Sequence, residues 1–97
     1  MSKVSVARVP TGSASRYLQQ LAKHWSHKMA VSYTEAAATI VFPNGSRLDL
    51  AADGDHLAVT LMVAEGQDVA QMRGVVASHL DRFAFREAPL HFDWYAG

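Results

Sequence analysis

The stretch SASRYLQQLAKHWSHKM, from Ser13 to Met29, constrains the fold more than any other. Ala14, Leu18, Leu21, Ala22, Trp25 and Met29 recur at three- and four-residue steps, which gather side chains on one side of an α-helix. Such a helix must lie on an apolar surface supplied by the rest of the chain. Its opposite side carries Arg16, Gln20, Lys23 and His27, and the span contains no acidic residue. Ser13 is the expected N-cap, its hydroxyl accepting from an N–H without a partner in the first turn.

The surface for this helix follows directly. Val31 and Tyr33, then Ala36, Ala38, Ile40 and Phe42, alternate with period two. The parity slips between Glu35 and Ala36, so a bulge or short break is expected there, leaving both sets on one face. In Phe42-Pro43-Asn44-Gly45-Ser46, a loop of Asn44-Gly45 alone would set Ile40 against Asp49. A Pro43-Asn44-Gly45 loop sets Ile40 against Leu48 and Ala38 against Leu50, and is preferred. Gly45 then supplies the left-handed residue after a type I turn. A two-residue Asp53-Gly54 loop would close the next hairpin, pairing Leu50 with Leu57 and Leu48 with Val59. The inner face of this meander is Ile40, Phe42, Leu48, Leu50, Leu57, Val59, Leu61 and Val63.

Lys3 to Val9 reads as a short strand ended by Pro10, Thr11 and Gly12. From Gly66 or Gln67 the helical period returns, with Val69, Met72, Val76, Leu80 and Phe83 in one stripe and His79 on its shoulder. This second helix is expected to stop near Phe85, ahead of Pro89. Gly74 inside it calls for close approach of another element. Leu90, Phe92 and Trp94 alternate with polar neighbours, as a last strand or a docked aromatic tail. The order is β-α-β-β-β-α, with or without a final β. It predicts a two-layer α+β sandwich with an antiparallel sheet and both helices on one face, forming a single domain over residues 1–97. The other face, with Thr39, Val41, Ala58, Thr60, Met62 and Ala64, is less polar than a solvated sheet face normally is. A homodimer, or a cover made by the C-terminal aromatics, would bury it.

Nine Lys and Arg balance nine Asp and Glu, so net charge draws the chain neither to nucleic acid nor to an anionic membrane. The absence of cysteine excludes disulfides, zinc fingers and thiol nucleophiles together. The first twelve residues hold no apolar run of signal-peptide length, and no stretch approaches the roughly 20 apolar residues of a membrane span. A cytoplasmic protein is expected.

RVPTGSASRYLQQLAKHWSHK, FPNG and VVASHLDRFAFRE together resemble a family of short bacterial proteins known as domain of unknown function 2218. The resemblance covers nearly the whole chain. It implies a bacterial, single-domain, soluble protein and associates it with siderophore and iron handling, but carries no catalytic residue or substrate. Members often have a cysteine in the first helix or second hairpin. This chain has none, so a thiol role would not extend to it.

Two constellations carry chemistry. His24 and His27, three apart on a helix, place two imidazoles about 60° apart, and His79 is the natural third ligand for a transition metal or haem. Against this, Lys23 and Lys28 repel a cation. The second constellation is Lys23, Lys28, Arg82 and Arg86, which would hold a carboxylate or phosphate if the helix ends meet. Arg82, Arg86 and Glu87 can equally form an ion-pair group fixing the turn after the second helix. Ser26–His27 and Ser78–His79 diverge on their helices, so neither makes a nucleophile and base. The reading is a binding or interaction module that self-associates as a homodimer, takes a small anionic ligand and needs no cofactor. A metal- or haem-binding protein is the alternative, and an enzyme with unidentified groups the weakest reading.

Overall fold

The computed structural model describes residues 3–96. In chain order these form β1 (Lys3–Pro10), α1 (Ala14–Trp25), β2 (Ala30–Tyr33), β3 (Ala37–Val41), β4 (Arg47–Ala52), β5 (His56–Val63), α2 (Val69–Phe83) and β6 (Tyr95–Ala96). The strands make one antiparallel sheet in the order β2-β3-β4-β5-β1-β6. Both helices pack on the same face: α1 over β2, β3 and β4, and α2 beside it over β5. The fold is the expected two-layer α+β sandwich.

The run after α1 contains two strands where one interrupted strand was expected. The Thr34 hydroxyl oxygen accepts from the N–H groups of Ala36 and Ala37, each at 3.2 Å, and the Thr34 N–H donates to the Ala37 carbonyl at 2.8 Å. These bonds supply a tight turn, and the chain reverses where the parity slips. Val31 comes opposite Ile40, and Tyr33 opposite Ala38. Both sets share a face, but through reversal of direction.

The first hairpin follows expectation. Ile40 faces Leu48 and Ala38 faces Leu50, Gly45 has φ +90°, and its N–H donates to the Phe42 carbonyl at 3.0 Å. The second hairpin differs by two residues, with Leu50 opposite Val59 and Leu48 opposite Leu61. Asp53 opens this turn and does not sit at its centre: its Oδ1 accepts from the N–H groups of Asp55 at 2.8 Å and His56 at 2.7 Å. Those two bonds hold its carboxyl below the usual range. A slip of two preserves the alternation, so every apolar residue keeps its face.

Helix α1 ends at Trp25, short of Met29, because the N–H groups of Lys28 and Met29 both return to the Trp25 carbonyl, at 3.0 and 2.9 Å. Met29 still packs against the core. At the other end the Ser13 hydroxyl makes no capping bond; Thr11 Oγ1 accepts the Ser13 N–H at 3.1 Å. Helix α2 begins under a carboxylate cap, Asp68 accepting from the Gln71 N–H at 3.0 Å, and ends at Phe83, leaving Phe85 73% exposed. Gly74 has no close neighbour: a Cβ there would meet nothing within 4 Å.

Leu18, Leu21, Ile40, Leu57 and Leu61 have no exposed surface, and truncating such a leucine to alanine costs about 2–5 kcal/mol. Trp25 and Phe42 meet edge to face at 5.2 Å between centroids, joining α1 to the sheet. The C-terminal segment is both a strand and a docked tail. Tyr95 and Ala96 pair with Val6 and Ser5, while Leu90, Phe92 and Trp94 pack against the core. The opposite face of the sheet is left to solvent, with Val41 43% and Met62 40% exposed.

Candidate anion-binding site at the helix ends

The site is built where the last turns of α1 and α2 meet. His24 and His79 have ring centroids 5.9 Å apart. Phe83 lies against His24 at 5.8 Å and Trp25 against His79 at 5.0 Å, so aromatic rings back both imidazoles. His79 Nδ1 lies 2.7 Å from the Val75 carbonyl, to which a protonated Nδ1 donates. In the neutral ring that leaves Nε2 as an acceptor; in the charged ring Nε2 becomes a donor. Burial, then the positive charges of His79, Arg82, Lys28 and His27, hold the His24 imidazole below its ordinary value of 6.5.

The helix ends therefore bring His24 to His79, close enough to Arg82, Lys28 and His27 for His24 to feel their charge. Lys23 lies exposed in the last turn of α1, and Arg86 places its guanidinium over the Phe85 ring at 5.8 Å. His27 lies beyond the helix end and is exposed. Among the described residues no three His, Cys, Asp or Glu side chains are grouped to hold a metal ion. Ser26 and Ser78 donate to the carbonyls of Lys23 and Val75, at 2.7 and 3.2 Å, and not to a neighbouring imidazole.

Glu87 does not join Arg82 and Arg86 as an ion-pair group. Its carboxylate accepts from the Thr11 hydroxyl, at 3.0 and 3.1 Å to its two oxygens, and from the Tyr17 hydroxyl. The other acidic groups near the helices are also engaged, Asp68 as the α2 cap and Asp81 accepting the Leu90 N–H at 2.8 Å. The helical segments thus hold Arg16, Lys23, Lys28, Arg73, Arg82 and Arg86 against three occupied carboxylates. The strands, their turns and the C-terminal segment hold Glu35, Asp49, Asp53, Asp55, Glu65 and Asp93 against Lys3, Arg8 and Arg47. A chain of zero net charge thus carries an excess of cations in and just after its helices and of acids elsewhere in the sequence.

At the opposite end of α1 a hollow of ≈ 830 Å³ opens between Gly12–Arg16, the turn at Glu35–Ala36 and the turn at Asp53–Gly54. Here Arg16 stands among Glu35 and Asp53, so the field lacks the single sign found at the histidines.

Residues 6–95 match the family described as an uncharacterized protein conserved in bacteria, domain of unknown function 2218. The chain belongs to this family. The solved structures include an NMR structure of PA4090 from Pseudomonas aeruginosa, similar at 36% identity with a TM-score of 0.77, covering 96% of this chain and 95% of that one. Comparison with curated protein sequences finds no matching relative. Among the described residues no helix is long and apolar enough to cross a membrane.

Proposed function

We propose that this bacterial domain is a small binding module that takes an anionic ligand, a carboxylate or phosphate, against His24, His79, Lys28 and Arg82, with Lys23 and Arg86 at the rim. The observation that carries the reading is the meeting of His24 and His79, 5.9 Å between ring centroids, where the positive charges of Arg82 and Lys28 also act on His24. Neutralising such a cluster is favourable, and an anion at this point would restore the suppressed proton affinity of His24. His24 would act as a pH-dependent donor beside two permanent charges.

Titration with inorganic pyrophosphate and with citrate, followed by calorimetry, tests this. Binding is expected to tighten on going from about pH 8 to about pH 6, as the bound anion draws a proton onto His24, and to be lost in Arg82→Gln. Equal affinity at both pH values, or none, overturns the reading.

The 5.9 Å approach of His24 to His79 favours one second reading, a transition-metal or haem site. A His79 ring whose Nδ1–H is held by a carbonyl presents Nε2 in the tautomer that metal ligands use. Zinc, nickel or haem bound stoichiometrically, and released by His24→Ala, would support it over the anion site.

A further inference from the structure

We infer that the open face of the sheet is a self-association surface whose occupant is a second copy of this chain, related by a two-fold axis crossing β4 between Arg47 and Asp49. Both helices and the aromatics Phe92 and Trp94 lie on the other side of the sheet, and among the described residues only Tyr95, paired with Val6 at the edge and 56% exposed, joins this face from the C-terminal segment. One row across it runs Val4, Met62, Arg47 and Val41; the next runs Val6, Thr60, Asp49 and Thr39. The proposed axis lays the first row of each copy over the second row of the other.

Charge complementarity selects this occupant. Arg47 Nε donates to Asp49 Oδ1 at 3.0 Å and Thr39 Oγ1 donates to the same oxygen at 3.1 Å, with the Arg47 and Asp49 side chains 51% and 41% exposed, so the guanidinium Nη groups and Asp49 Oδ2 are the atoms a second copy would meet. The two-fold sets Arg47 of each copy over Asp49 of the other, while Met62 and Val41 meet the methyl groups of Thr60 and Thr39. Area agrees. The molecule measures 34 × 27 × 20 Å, and stacking two layers accounts for the shortest dimension. The two longer ones bound a face on the order of 900 Å², against the roughly 800 Å² that each partner contributes to a stable interface.

Sedimentation velocity over a concentration series tests the proposal. The protein is expected to dimerise at or below about 100 µM, with Met62→Lys and Val41→Lys each raising the dissociation constant at least tenfold. Arg47→Asp should dissociate the dimer, and the double exchange Arg47→Asp with Asp49→Arg should restore it, since the cross-copy pairs reverse together. Melting curves check that each variant folds. A protein still monomeric at about 1 mM overturns the proposal, as does a dimer indifferent to Met62→Lys. Methyl signals of Val4, Val41 and Met62 that shift only with lipid vesicles would assign the face to a lipid surface and also overturn it.

Discussion

Glu87 accepts a hydrogen bond from Tyr17, tying the chain after α2 to the first turns of α1. Tyr17 is 6% exposed, and the bond to Glu87, followed by burial, raises its hydroxyl above the ordinary 10.0. Tyr17→Phe keeps the ring and removes the donor, so it should cost about 1.5–3 kcal/mol, the range for a bond to a charged group. Urea denaturation measures it. A proton held more tightly in the folded state also means that stability falls as pH rises above 10.0 toward the raised value. Tyr17→Phe should flatten that slope.

His24 sets the opposite slope at acid pH. Its folded-state value lies below the ordinary 6.5, so the unfolded chain binds the proton more readily. Stability is then present above 6.5 and declines as pH falls from there toward the lowered value. Denaturation midpoints between about pH 8 and about pH 5 should show this decline, reduced in His24→Gln and reduced in the wild type by a bound anion. A decline unchanged in His24→Gln would contradict the electrostatic account of the site.

Gly45, at φ +90°, occupies a backbone conformation that side chains resist. A Cβ there would find Ala64 Cβ at 3.6 Å, an ordinary contact, so the cost of substitution lies in the backbone and not in a clash. Gly45→Val should destabilise by about 1 kcal/mol or more, read as a lower urea midpoint with an unchanged slope. An unaffected midpoint would contradict it.

Periodicity and turn chemistry within short windows were enough to read the two helices, the sheet face they cover and the register around Gly45. Each of these depends on neighbours within a few residues. The stripe from Ala14 to Trp25 and the alternation from Leu57 to Val63 leave little freedom about which face is inward. Where a polar side chain competes for the backbone, local reading failed by small steps. Asp53 shifted the pairing of the second hairpin by two residues, Thr34 turned an expected break into a reversal, and the hydroxyl that bonds the backbone at the start of α1 is that of Thr11, accepting the Ser13 N–H, not that of Ser13.

Contacts between residues far apart in the chain were decided by tertiary structure alone. The last turns of two helices separated by the whole meander bring His24 to His79. Sequence could nominate both residues, but the crossing of the helices determines their separation. Arg73, in the middle of α2, donates to the buried Ser5 hydroxyl at 2.9 Å and lies over the Trp94 ring at 5.6 Å. Glu87 reaches Thr11 and Tyr17 across 76 and 70 residues. No short window contains such pairs. They form because burying Ser5, Thr11 and Tyr17 requires partners for their hydroxyl groups, and only the folded chain determines which polar groups are close enough to serve.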